Sequence, residues 1–284
     1  MKTYYIITNH DKDPSLTQTG RIQKYLEARG GKCYIHDSAD RSVGRLYRYT
    51  DPDQVPADVE CVLVLGGDGT LLHAARDLVD RSLPLMGINL GTLGYLTEVE
   101  TGSYETAVDA LLEGNCFQER RMMLQGKAVR GGKTLLEDIA LNDIVISRRG
   151  KMRVVDFNIL VNDSFLCSYR ADGIIVASPT GSTGYSLSAG GPIVSPDARL
   201  ILITGVAPHT LAARPVVLPE NVTVTIEVGG DAGEKDGADV VFDGDTSLTL
   251  QVGDRVEITR SDKEARLIKL THTSFVEIMR RKMN

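Results

Sequence analysis

At 284 residues the chain is long enough for two domains, each with a core of its own. Its 32 basic and 38 acidic residues leave a formal charge of -6, which argues against broad nucleic-acid binding, because that needs a basic face. Four cysteines (Cys33, Cys61, Cys116, Cys167) lie far apart with no C-x-x-C pair, so neither a zinc site nor a disulfide framework is expected. No apolar run suits a signal peptide or a membrane span, and a cytoplasmic protein with no membrane partner is the expectation.

Tyr4 to Thr8 reads as a first strand and Asn9 to Ser15 as a polar loop. A helix follows with Leu16, Ile22 and Leu26 on its apolar side; Gly30-Gly31 stops it, and Cys33 to Ile35 is a second strand. His36 to Asp58 is polar, holds two prolines and shows no period, which favours a solvated surface loop over one belonging to a site. Cys61-Val62-Leu63-Val64-Leu65 is apolar at every position, the pattern of a strand buried on both faces in a parallel sheet. Gly66-Gly67-Asp68-Gly69 breaks it, and beyond Thr70 the apolar positions Leu71, Leu72, Ala75, Leu78 and Val79 recur at helical spacing. The reading is strand, glycine loop, helix, with Thr70 expected to cap the helix.

The N–H groups of such a loop and helix start suit a phosphate, and glycines let it approach without meeting a Cβ. A carboxylate there repels the ligand, so Asp68 needs a reason. It either holds a metal ion that bridges phosphates or takes the proton of a hydroxyl attacking phosphorus. Ordinary turn chemistry is the plain alternative. Leu85 to Asn89 is another parallel strand, with a turn from Asn89 to Gly94 near its carboxyl end, where ligands collect in open α/β sheets. Tyr104, Val108, Leu111 and Leu112 mark an amphipathic helix, so residues 1–116 are expected to form a doubly wound α/β domain.

From Phe117 the pattern turns to alternation. Phe157, Ile159 and Val161 alternate before the turn signal Asn162-Asp163, and Val222 to Val228 alternates as a half-buried antiparallel strand should. Leu248, Leu250, Val252, Val256 and Ile258 continue the pattern, while Gly229-Gly230-Asp231 reads as a turn. Residues 117–270 are therefore expected to form a β-rich, sandwich-like domain, with a helix in 271–284 packing back on the first domain.

Within that half, Asp172-Gly173-Ile174-Ile175-Val176-Ala177 opens into a glycine-rich loop carrying Ser178, Thr180, Ser182, Thr183, Tyr185, Ser186 and Ser188. Hydroxyls both give and accept hydrogen bonds, which suits a base, a ribose or an amide better than a bare phosphate. Neither glycine loop matches G-x-G-x-x-G or the Walker A pattern with its lysine. Asn142-Asp143 precedes Ile144-Val145-Ile146 and is either a turn former or a reader of adenine and ribose. The basic run Arg148-Arg149-Gly150-Lys151-Met152-Arg153 stands out in an acidic chain; it is either a solvated face, the commoner case, or supplies one member to a phosphate.

Four stretches together resemble the NAD kinase family: Gly66-Gly67-Asp68-Gly69-Thr70, Asn142-Asp143, Asp172 to Pro192, and Pro208-His209-Thr210-Leu211-Ala212-Ala213-Arg214-Pro215. They span most of the chain in the family's order. The segment from Thr180 to Pro192 is highly specific, whereas the Gly-Gly-Asp-Gly-Thr motif alone is shared with phosphofructokinases and diacylglycerol or sphingosine kinases. The resemblance implies phosphorylation of the 2′-hydroxyl of the adenosine ribose of NAD, giving NADP. The donor would be ATP with Mg2+ or another divalent cation, or in some members polyphosphate. It also implies an α/β N-terminal domain, a β-sandwich C-terminal domain that binds the dinucleotide, and a homodimer or homotetramer with sites built across a subunit contact.

Carried over residue by residue, the resemblance makes Asp68 the proton acceptor and sets Gly67, Gly69 and Thr70 against the nucleotide. Asn142 and Asp143 contact adenine and ribose. Asp172 and the segment Thr183, Gly184, Tyr185, Ser186, Leu187 and Ser188 line the dinucleotide site, with Tyr185 near the reacting ribose. Arg153 and His73 match positions that are basic in some members, and no direct protein ligand to a metal is expected. Three positions depart from the family. Asp143 stands for the usual Glu and reaches less far, Asp245 stands where many members carry Gln, and Gly184 replaces the commoner Ala and loosens the loop. Two rivals remain: a diacylglycerol-type lipid kinase, which needs an apolar acceptor groove where this second loop is polar, and a dinucleotide-binding regulator without catalysis, against which the retained Asp68 weighs.

Overall fold

The computed structural model describes residues 1–36, 50–91, 94–150, 154–209, 213–230, 237–271 and 275–283. The chain divides into two compact units, residues 1–121 with 264–284, and residues 122–263.

In the first unit strands and helices alternate: β1 (Thr3–Thr8), α1 (Thr17–Ala28), β2 (Lys32–Ile35), β3 (Cys61–Gly66), α2 (Asp68–Asp77), β4 (Leu85–Asn89), β5 (Val99–Glu100) and α3 (Tyr104–Glu113). β3 runs parallel between β1 and β4, with β2 outside β1 and β5 beside β4. Neighbours on both sides and cover on both faces explain why its sequence does not alternate: every residue of β3 is buried. Tyr4, Ile6, Leu63, Met86 and Ile88 pack with Ile22 and Leu26 of α1 and Val108 and Leu111 of α3. α2 covers the other face, where a Cβ on Gly87 would lie 3.0 Å from Leu71. This is the doubly wound sheet that the sequence pattern predicts. Leu16 differs from expectation: it precedes α1 in a left-handed conformation (φ 52°) instead of lining the helix. The start of α1 is held by Asp13, whose carboxylate accepts hydrogen bonds from the N–H groups of Gln18 and Thr19 and from the Thr19 hydroxyl.

The second half of the chain contributes β6 (Phe117–Arg130), β7 (Lys133–Ala140), β8 (Asp143–Arg148), β9 (Val155–Val161), β10 (Ser164–Ala171), β11 (Gly173–Ala177), α4 (Tyr185–Ser188), β12 (Leu200–Val206), β13 (Val216–Pro219), β14 (Val224–Val228), β15 (Ala238–Phe242), β16 (Thr246–Leu250) and β17 (Arg255–Lys269), followed by α5 (Phe275–Met283). The unit boundaries fall inside β6 and β17, and the far end of β17 returns to the first unit, where Leu267 pairs in parallel with Leu85.

Within the second unit one antiparallel sheet has the order β13-β12-β11-β8-β15-β16, and another runs β10-β9-β14-β17. Ile144, Ile146, Ile174, Val176 and Phe242 of the first share a core with Phe157, Ile159, Val224, Ile226, Val256 and Ile258 of the second, a sandwich arrangement. Asn162 and Asp163 both take positive φ (49° and 62°) in the β9–β10 hairpin, as the sequence predicts for a tight turn. β14 is more buried than its alternation suggests. It lies between β9 and β17, and even Thr225 is buried, leaving Glu227 half-exposed.

Candidate functional site

β3 ends at Gly66, and Gly67 caps α2 in extended backbone (φ -124°, ψ -170°) with no side-chain acceptor. Thr70 is therefore not the cap that the sequence suggests. It sits inside the first turn, where its Oγ1 accepts a hydrogen bond from Asn9 Nδ2 at 3.2 Å. The hydroxyl is claimed by a loop that follows a different strand, and it packs so closely that a Cβ on Gly66 would lie 2.3 Å from it. The first N–H groups of a helix have no acceptor within it. A Cβ on Gly69 would meet nothing within 4 Å, so the loop is open on that side.

Asp68 is half-buried, and a turn wraps its carboxylate. Oδ2 accepts from the N–H of Tyr95 (2.6 Å); Oδ1 accepts from the N–H groups of Leu96 (3.1 Å) and Thr97 (3.2 Å) and from Thr97 Oγ1 (3.4 Å). Gly94 is required for this approach, because a Cβ there would lie 1.8 Å from Oδ1. Charge-assisted bonds of this kind fix the side chain, and a carboxylate oxygen with one partner still has a second lone pair to offer. The turn is itself anchored by the next residue. Glu98 accepts from Lys269 Nζ (2.8 Å) and from the N–H of Leu270 (3.2 Å), and both charged side chains are largely buried.

In the second unit Asn142 and Asp143 open β8. Asp243, in the turn between β15 and β16, fixes them: its carboxylate accepts from the N–H groups of Leu141 (2.7 Å), Asn142 (2.8 Å) and Asp143 (3.0 Å). Asp143 is buried beside that charge, and burial first, then the negative charge of Asp243, push its carboxyl up to about 7. Asn142 Oδ1 and Thr180 Oγ1 are buried with no hydrogen-bond partner among the described residues. An unsatisfied buried polar group costs about 1–3 kcal/mol, so these two mark a place for a polar ligand. The backbone is closely fitted there. A Cβ on Gly181 would lie 2.1 Å from the Asn142 carbonyl oxygen, and one on Gly184 would lie 3.9 Å from both Asn142 Nδ2 and Asp143 Oδ2.

The hydroxyl-rich loop gives fewer groups to a ligand than its composition suggests. Ser178 donates to the Leu141 carbonyl, Ser182 bonds Val194, Thr183 donates to the Thr180 carbonyl, and Ser186 pairs with Thr204. These four hold the loop itself together; Thr180, the exposed Tyr185 and the exposed Ser188 remain for a ligand. Gly184, Ser186 and Leu187 belong to the short turn around α4. Asp172 is half-exposed and takes Arg148 Nε at 2.7 Å, which gives one member of the basic run a structural partner. His73 is half-buried one turn into α2, and Asp245 is half-buried in the turn that Asp243 begins. Arg153 lies outside the described residues. Sequence reasoning placed Gly94 in a turn near the site but not against Asp68, and it missed Thr97, Glu98 and Asp243. Asp68 meets its turn 27 to 29 residues away, and no local pattern announces such a pairing.

Comparison with known proteins places the chain in a family. The family described as ATP-NAD kinase N-terminal domain matches residues 5–116, and the ATP-NAD kinase C-terminal domain matches residues 141–270. The NAD kinase of Lachnospira eligens is 41% identical over 293 aligned positions, covering 100% of both chains. That of Agathobacter rectalis is 43% identical over 285, covering 100% of this chain and 99% of its own. In fold the chain resembles yeast NADH kinase complexed with NADH (TM-score 0.83, 23% identity, 100% of this chain and 87% of that one). It also resembles an NAD kinase from Archaeoglobus fulgidus in complex with ATP (TM-score 0.77, 23% identity, 99% and 98%). Matched by both domain families and along its whole length by relatives of this identity, the chain belongs to the NAD kinase family.

Proposed function

We propose that this protein transfers the terminal phosphoryl group of ATP to the 2′-hydroxyl of the adenosine ribose of NAD, releasing ADP and NADP. The observation that carries the mechanism is the grip on Asp68, whose Oδ1 takes three hydrogen bonds and Oδ2 one among the described residues. Oδ2 accepts the 2′-hydroxyl proton as the ribose oxygen bonds to the γ-phosphorus; the bond from that phosphorus to the β–γ bridging oxygen breaks, and its electron pair leaves with ADP. Gly67, Gly69 and Thr70 offer backbone N–H groups to the donor's phosphates, and His73 stands behind them on α2. Asn142, Asp143 and Asp245 contact adenine and ribose, and Asp172, Arg153 and residues 183–188 line the dinucleotide.

Residues 1–116 thus serve as the donor-loop domain and 117–270 as the dinucleotide domain. A divalent cation travels with the ATP phosphates as their counter-ion. The working form is a cytoplasmic homodimer or homotetramer, which light scattering on the purified protein decides.

NADP formation from NAD and ATP, read with an NADP-specific dehydrogenase, tests the activity. Asp68→Asn is expected to lower kcat by about 10²–10⁴-fold, the usual size of a general-base contribution, with NAD affinity retained. A variant that keeps wild-type turnover removes Asp68 from the role of base.

A further inference from the structure

The glycine loop has no lysine in its own sequence, yet an ammonium group stands over it. A Cβ on Gly67 would lie 3.1 Å from Lys12 Nζ, and a Cβ on Gly91 would lie 3.5 Å from the same atom. Gly67 and Gly91 follow the adjacent parallel strands β3 and β4, at the carboxyl ends where ligands of open α/β sheets bind. Lys12 comes from the loop after β1, the strand on the other side of β3.

That loop is held at both ends. Asn9 N–H donates to the Leu65 carbonyl (2.8 Å), and Asn9 Nδ2 donates to Thr70 Oγ1. The N–H groups of Lys12 and Asp13 both donate to the Asn9 carbonyl (3.1 and 3.0 Å), and the Asp13 carboxylate holds the start of α1. Lys12 is exposed and makes no ion pair among the described residues. The carboxylate of the loop itself, that of Asp68, bonds the 95–97 turn and forms no ion pair with Lys12 among the described residues. A cation held beside a glycine backbone, above orphan helix N–H groups, with no anion of its own, is arranged for an anion that arrives with a ligand.

We propose that Lys12 binds the phosphate chain of the donor, supplying from a separate loop the positive charge that other phosphate-binding glycine loops carry within their own sequence. The inference rests on the reading of the 66–70 loop as the donor site. A point charge on a flexible stem contacts phosphate and not the base, so its effect falls on any polyphosphate chain alike.

Steady-state kinetics of Lys12→Met and Lys12→Arg test it. KM for ATP is expected to rise about tenfold in Lys12→Met, as for a lost charge-assisted bond. KM for NAD stays within about twofold, and Lys12→Arg recovers most of the ATP affinity. Inorganic tripolyphosphate, as a competitive inhibitor against ATP, is expected to weaken in parallel. Calorimetric binding of ADP with magnesium to wild type and Lys12→Met gives the same reading without turnover, so Lys12 is tested even if the wild-type protein makes no NADP. ATP kinetics and ADP binding unchanged in Lys12→Met, or a loss that falls on NAD alone, overturn the proposal. An inactive wild type with normal, Lys12-dependent ADP binding overturns the kinase reading instead.

Discussion

In the role of base proposed for it, Asp68 has to be held firmly while keeping a lone pair for the proton, and among the described residues its two oxygens carry unequal loads. The closeness of the wrapping turn makes Gly94 the most sensitive neighbour. Gly94→Ala puts a methyl group where the carboxylate now lies, and kcat is expected to fall about 10²-fold, the effect of misplacing a catalytic group by roughly 1 Å. Single-turnover measurement at saturating NAD and ATP checks it. Asp143 makes a different prediction. Its carboxyl titrates near 7 in the folded protein against 3.8 for an ordinary aspartate, so between those values the native state holds a proton that the unfolded chain has lost. The group's contribution to stability is full below pH 4 and is lost as pH rises through 7. Urea midpoints at pH 5 and pH 8 should therefore differ more in wild type than in Asp143→Asn. Asp68 and Asn142-Asp143 were legible as residue types in telling local patterns. Asp243 was not, because a carboxylate in an Asp-Gly turn is the commonest of turn formers and its three backbone donors lie about 100 residues earlier.

At the scale of single elements, local chemistry predicts best where neighbours do not intervene. The unbroken apolar run of β3 reads correctly because burial on both faces leaves no other pattern. The cap of α2 does not, because Asn9 competes for the Thr70 hydroxyl and glycine can begin a helix unaided. The hydroxyl-rich loop shows the same competition, with four of its groups spent on its own backbone and neighbours. Two elements carry predictions. Asp13→Ala removes the side chain that holds the start of α1 and is expected to cost about 1 kcal/mol, seen as a lower Tm. Lys269→Met leaves Glu98 buried without its partner and is expected to cost about 3–5 kcal/mol, with part of the loss recovered in the double variant Glu98→Gln/Lys269→Met. Chemical denaturation of the three proteins gives both values.

Over the whole molecule, the first unit is discontinuous in sequence. Ile268 belongs to the same core as Tyr4, Ile6 and Leu111, and Ile268→Ala is expected to cost about 2–5 kcal/mol, lowering the thermal stability of strands that are remote in the chain. Period and composition distinguish the α/β half from the β-rich half. They do not show that β17 serves both units: its burial lapses at Asp262 and Lys263 and resumes at Ala265, within one continuous strand.

That shared strand bears on how the protein is made. Residues 264–284 leave the ribosome only after the entire second unit has been synthesised, although domains generally begin folding from the N-terminus during translation. Until then Leu85 has no Leu267 beside it and Glu98 has no Lys269 to hold. A nascent chain therefore lacks the anchor of the turn around Asp68 until elongation has passed Leu270, however early its first strands collapse.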